Sequence, residues 1–217
     1  MQSVLAAGDS GNVKITPDII AKALDGLAER DAGIARTLRA VGYPAPRYRE
    51  PGFGTFVNII IGQQVSVASA SAIRGRLDAL AGPVTPQSLL ALDDDALKAV
   101  GFSRRKMEYC RLLADDIVAG RFDPDRLDRL DDAAVIAAIV ERKGLGRWSA
   151  EIYALFALGR ADIWPADDLA VIVAVQRLRN LDARPDRAAM DRIAEDWRPW
   201  RGIVALLMWH HYNKAAL

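Results

Sequence analysis

The sequence predicts an all-α fold. Two observations carry this reading. Apolar residues recur at three- and four-residue spacing through most of the chain, as at Ile19, Ala23 and Leu27, at Ala96, Leu97 and Val100, and at Val135, Ile136, Ile139 and Val140. Prolines and glycines punctuate these segments. Pro17, Pro86 and Pro199 fall near helix starts, and Gly42, Gly101, Gly120, Gly144 and Gly159 fall near ends. The pattern suggests roughly ten helices. Two runs, Phe56 to Ile61 and Leu169 to Val175, are rich in β-branched residues. Neither has an alternating partner strand nearby, so both are read as helices apolar on all sides and buried at the centre of the fold.

The 217 residues suffice for one large domain or two small helical lobes sharing a cleft. A single cysteine, Cys110, excludes an internal disulfide framework and an iron–sulfur cluster held by four thiolates, and reads as a small buried hydrophobe. Residues 1–11 show no basic start followed by an apolar run, and no stretch reaches about 18 continuous apolar residues. The expectation is a cytoplasmic protein with neither signal peptide nor membrane span, its first dozen residues a loose tail. A net charge of +1 argues against coating nucleic acid by bulk electrostatics, but allows a local patch. Positive charge gathers at Arg104, Arg105, Lys106 and Arg111, and again at Arg142, Lys143 and Arg147; each cluster is either a patch or a pair of solvated helix ends.

From Asp131 to Phe156 an amphipathic helix ends at Lys143-Gly144-Leu145-Gly146-Arg147, and a second begins with Trp148-Ser149-Ala150. This is a helix–hairpin–helix pattern. Both glycines are expected to take left-handed angles and to bare amide N–H groups where a phosphate can approach, with Leu145 plugging the core between the helices. A plain tight turn would look the same. Asp168 stands directly before the apolar run Leu169 to Val175, as a helix cap or as a carboxylate in a cleft, with Asp167 as a spare cap in the second case. In the last helix, Trp200, Ile203, Val204, Leu207 and His211 share one face, whereas Trp209 lies opposite with Gly202 and Ala205. The first face reads as core; the second suits either a stacking wall or packing against a neighbouring helix. Adjacent His210 and His211 point about 100° apart and are not a joint metal site. No Walker loop, dinucleotide fingerprint or nucleophilic-serine motif is present.

Four ordered blocks carry a resemblance: Gly62-Gln63-Gln64-Val65-Ser66, the Lys143 to Ala150 hairpin, Pro165-Ala166-Asp167-Asp168, and Trp197-Arg198-Pro199-Trp200-Arg201. From about Phe53 to Tyr212 the chain resembles the DNA-3-methyladenine glycosylase II branch of the helix–hairpin–helix glycosylases. The resemblance implies two helical lobes with a cleft between them, one from roughly 60 to 165 with the hairpin at 131–156, the other from roughly 12 to 59 plus 166 to 217. It implies hydrolytic excision of alkylated purines such as 3-methyladenine and 7-methylguanine from double-stranded DNA in base excision repair, by a monomer that needs no cofactor. Asp168 is then the catalytic carboxylate, Trp209 stacks on the extracted base, and Trp148 lines that pocket. Gln64 wedges into the duplex, and Gly144, Gly146, Arg147 and Ser149 contact DNA at the hairpin. The backbone carbonyls of Val140, Arg142 and Gly144 would hold a monovalent cation, Na+ or K+.

Two departures from the family stand out. Relatives with an additional amino-terminal β-domain draw pocket residues from it, so Asn12 to Glu50 is expected to close the pocket here or leave it more open. Some relatives place a tyrosine four residues after the hairpin tryptophan; here that residue is Ile152. Trp148 occupies the hairpin position that holds a Schiff-base lysine in strand-cleaving relatives, which implies a monofunctional enzyme, with Lys143 solvated and of ordinary basicity. The alternatives are a bifunctional glycosylase/lyase and a non-catalytic DNA-binding module.

Overall fold

The computed structural model describes residues 15–214, and among these there are helices and no strand. The expected loose amino-terminal tail, and the segment read for a signal peptide, lie outside the described residues. The twelve described α-helices and one 3-10 turn exceed the roughly ten expected, because short helices such as α5 (Pro86–Leu90) and α6 (Asp94–Ala99) carry too few turns to show a period. Their starts are written in polar side chains. Thr16, Asp31, Ser66, Ser103 and Asp131 each accept a bond from a first-turn backbone N–H, which satisfies a donor that the helix itself cannot. Gly42, Gly101, Gly120, Gly144 and Gly159 all have positive φ, as their places at helix ends foretold. No described helix is long and apolar enough to cross a membrane.

The chain divides into two compact units. Among the described residues, the first comprises 49–153 and the second 15–48 with 154–214. The expected lobe limits shift at both crossings. Helix α3 (Phe53–Gly62) belongs to the first unit, because Phe56 lies flat against Tyr153, with centroids 3.9 Å apart, and edge-on to Phe122 at 5.6 Å. The other boundary falls inside helix α9 (Arg147–Phe156), after Tyr153 rather than near residue 165.

In the first unit, α3 packs on α4 (Val67–Ala81) and α7 (Arg104–Val118), and α7 also meets α5 and α6. Seven of the ten α3 residues are buried, as the apolar run predicts. Buried Lys106 donates from Nζ to the Ile61 carbonyl at 2.6 Å, tying α7 to the carboxy-terminal turn of α3. Burial pulls that amine below its usual basicity, against the pull of Cys110. The Cys110 thiol is pushed up to about 12 by burial, so it is the inert small hydrophobe the sequence suggests. The hairpin consists of α8 (Asp132–Val140), a turn, and α9.

In the second unit, α1 (Pro17–Ala28), α2 (Ala32–Val41), α10 (Leu169–Arg179) and α12 (Arg201–Lys214) pack together. The Asp31 carboxylate joins the start of α2 to α10 and to the segment before α12. It accepts from the Gly33 and Ile34 N–H groups, from both Arg179 Nη atoms at 3.0 and 2.7 Å, and from the Trp197 indole at 2.8 Å. Trp197 is itself fully buried, edge-on to Trp164.

One expectation is corrected here. Helix α10 is not apolar-buried all round: Val171, Ala174, Val175 and Leu178 face the core, but Leu169 is 58% exposed. Its first turn ends at the protein surface and cannot be covered by its own core face. Helix α12, by contrast, is buried from Gly202 through Trp209 on every side. A Cβ at Gly202 would lie 2.7 Å from the Ala161 carbonyl oxygen, so only glycine allows this close approach.

Candidate active site

Each unit carries one group of the predicted residues. In the second unit Asp168 is the N-cap of α10: its Oδ1 accepts from Val171 N–H at 3.1 Å. The same oxygen accepts from Trp209 Nε1 at 3.0 Å. Asp168 is therefore both a helix cap and a hydrogen-bond partner of the tryptophan expected to stack. Asp167 is not a spare cap. It is exposed and paired with Arg187, since a cap must immediately precede the helix it serves.

Trp209 is 8% exposed, with Phe156 at 5.5 Å and tilted 40°. Arg47 lies over its ring, the guanidinium carbon 5.7 Å from the centroid. Sequence reading placed the pocket's closure somewhere in 12–50 but did not single out Arg47. The one signal was the stretch Tyr43-Pro44-Ala45-Pro46, whose prolines stiffen the non-helical chain just before it. Partial desolvation lowers the basicity of Arg47, while the charge of Asp168 acts to raise it.

In the first unit, Gly144 has φ +88° and sits on the ring of Tyr109, where a Cβ would come within 2.2 Å. Leu145 is 2% exposed, as the hairpin pattern requires. Gly146 departs from expectation, because its φ is not in the left-handed region and nothing lies near the place of a Cβ. The turn needs only one reversal, and Gly144 supplies it.

Ser149, expected to contact DNA, lies in the first turn of α9. It is 2% exposed, and its hydroxyl accepts from Gln63 Nε2 at 3.3 Å, which leaves its backbone N–H as the group suited to a phosphate. Gln63 also donates to the Gly144 carbonyl at 2.9 Å. It is the functional neighbour that sequence reading missed, standing beside an identical residue. Gln64 is exposed and adopts φ +57°, a conformation uncommon outside glycine that carries its side chain out of the line of α3. Trp148 is half-buried at the start of α9.

Several cations of the basic clusters are paired with carboxylates, some adjacent in sequence and some in another helix. Arg142 pairs with Asp116 and Glu141, Lys143 with Glu108, Arg147 with Glu151, and Arg111 with Asp94. The hydrogen bond that Lys143 donates to Glu108 raises the amine above the ordinary basicity expected of it, while the side chain is solvated as expected. For a hairpin cation, the Arg142 and Gly144 carbonyls each carry one hydrogen bond, from Leu145 N–H and Gln63 Nε2. Each oxygen keeps a second lone pair, so the neutral carbonyl set fits a monovalent cation.

A family model for the HhH-GPD superfamily of base excision DNA repair proteins matches residues 57–199. That span contains Gln63, Gln64, the hairpin and Asp168. The chain is 27% identical over 191 residues to DNA-3-methyladenine glycosylase 1 of Schizosaccharomyces pombe, covering 84% of this chain and 83% of the relative. It is 30% identical over 188 residues to DNA-3-methyladenine glycosylase 2 of Escherichia coli, covering 80% of this chain and 64% of that protein. The solved structure of the Schizosaccharomyces pombe enzyme in complex with abasic DNA aligns with a TM-score of 0.81 at 26% identity, over 90% of this chain and 97% of that one. The chain belongs to the HhH-GPD superfamily of base excision DNA repair proteins.

Proposed function

We propose that this protein is a monofunctional glycosylase that hydrolytically releases alkylated purines, 3-methyladenine and 7-methylguanine among them, from double-stranded DNA. The observation that carries the reading is the shared oxygen of Asp168, bonded at once to the first turn of α10 and to the indole of Trp209. A buried aromatic held beside a carboxylate is what excision of a cationic base requires. The indole faces the flipped base, and the carboxylate faces the sugar cation left behind.

Flipping a base from the duplex costs a few kcal/mol, least for damaged or mispaired bases. Exposed Gln64 would fill the gap in the stack, and the amides of Gly146, Arg147 and Ser149 at the start of α9 would hold a backbone phosphate. The carbonyls of Val140, Arg142 and Gly144 would hold Na+ or K+, whose charge would reinforce that phosphate contact. A carboxylate about 4 Å from the developing oxocarbenium, at an effective dielectric of about 20, is worth roughly 4 kcal/mol, or about a thousandfold in rate.

Strand cleavage needs a neutral amine at the sugar. Trp148 has none, and Lys143 is held protonated by Glu108. The enzyme acts as a monomer in the cytoplasm, at the nucleoid if the source is bacterial. Incubating the protein with methylated duplex DNA under borohydride tests the whole reading. The expected result is free 3-methyladenine and 7-methylguanine with an intact strand. Trapping of a protein–DNA adduct overturns monofunctionality, and failure to release any base overturns the enzymatic reading in favour of a DNA-binding module.

A further inference from the structure

The ring of Trp209 is not an open platform. With Phe156 on one neighbouring position and the Arg47 guanidinium over the ring, only 8% of the residue meets solvent. A flat cationic base stacking on this indole needs the same surface that the flat cationic guanidinium covers. We propose that Arg47 is a placeholder cation, which occupies the seat of the flipped base on Trp209 in the free enzyme and must be displaced before any base is held for excision. The inference rests on the reading of Trp209 as the base wall.

Three features support it. A guanidinium resembles an alkylated purine in the properties the site uses, being planar, delocalised, positively charged and weakly hydrated. It sits where the negative charge of Asp168 reaches it, so the carboxylate that later faces the sugar cation faces Arg47 beforehand. And its departure is feasible: Arg47 as a whole is an exposed residue on the non-helical segment between α2 and α3, with solvent available to its side chain once the head leaves the ring. The displacement adds the same cost to every base, damaged or not. It therefore acts as a threshold that suppresses the engagement of undamaged purines, which outnumber lesions, at the expense of some speed on true substrates.

The test uses single-turnover release of 7-methylguanine from a duplex at saturating enzyme, where the rate reports base insertion and chemistry rather than DNA binding. Arg47→Ala is expected to release the base about fivefold faster than wild type, a cation–π contact being worth that order. Release of undamaged guanine should rise by a like factor. Arg47→Lys, which keeps a cation able to lie on the ring, should stay within about twofold of wild type. Affinity for a duplex bearing a tetrahydrofuran abasic analogue, which has no base to seat, should be the same in all three. An unchanged or slower rate in Arg47→Ala, an Arg47→Lys as fast as Arg47→Ala, or weakened abasic binding overturns the proposal; weakened abasic binding would make Arg47 a DNA contact. Failure of wild type to release any alkylated base would sink the enzymatic reading itself, whereas release by wild type without a gain in Arg47→Ala sinks only the placeholder.

Discussion

Asp168 Oδ1 and Trp209 Nε1 are joined by a 3.0 Å hydrogen bond, and the same oxygen caps α10 through Val171. Carboxylate, helix start and indole thus form one assembly whose geometry is fixed by a single atom. On the proposed reading, a base stacked on the indole would have its distance to the carboxylate set before any substrate arrives, which is the preorganisation that electrostatic catalysis depends on.

Asp168→Asn separates charge from geometry. Asparagine caps helices about as well as aspartate and offers the same acceptor to Trp209. Thermal stability should therefore change by less than about 1 kcal/mol, and affinity for an abasic duplex should be nearly intact, while base release falls about a thousandfold. Asp167→Asn, which loses only an exposed pair with Arg187, should change excision little. Single-turnover assays and melting curves on both variants are the check; equal loss of activity in the two would return Asp168 to a purely capping role.

The two hairpin glycines should respond differently, contrary to the symmetry their sequence suggests. Gly144→Ala meets both a left-handed backbone and the ring of Tyr109, and is expected to cost about 2 to 4 kcal/mol. Gly146→Ala meets neither obstacle and should stay within about 1 kcal/mol of wild type. Urea denaturation reads the stabilities, and titration with undamaged duplex at several salt concentrations reads the phosphate contact. A Gly144→Ala variant as stable as wild type would show that the turn is not anchored on Tyr109.

Asp31 supplies a pH-dependent part of the stability. Burial raises its pKa, but the bonds from Trp197, Ile34 and Arg179 outweigh this and hold it below the usual carboxylate value. A depressed folded pKa gives a contribution that is whole above the unfolded value of about 4 and is lost as the pH falls through the folded value. Asp31→Asn should thus cost about 2 kcal/mol at neutral pH, Arg179 being partly solvated, and the gap to wild type should close below about pH 4. A gap independent of pH would assign the loss to packing around Trp197.

The parts legible in the sequence were those encoded locally. The buried α3 run, the hairpin with Leu145 as its plug, and Asp168 at the start of α10 each show within a dozen residues. The parts missed depend on contacts between distant segments. Arg47 lies over Trp209 across more than a hundred and fifty residues and stands outside the helices, where no helical period marks a face. The charge clusters looked basic because their partners, Glu108 for Lys143 and Asp116 for Arg142, lie in another helix. Gln63 and Gln64 are chemically identical, and only backbone angles assign one to the hairpin and the other to solvent.

The Asp31 junction also constrains how the chain is made. Its partners Arg179 and Trp197 follow it by 148 and 166 residues, so helices α1 and α2 leave the ribosome long before α10 and α12 exist to cover them. The contiguous stretch 49–153 has no such wait and can fold while synthesis continues. Until the last sixth of the chain emerges, the apolar sides of Ile20, Leu24, Leu27 and Ile34 are left for a chaperone or a transient collapse to shield, and the nascent chain's most exposed period coincides with the translation of its own first completed unit.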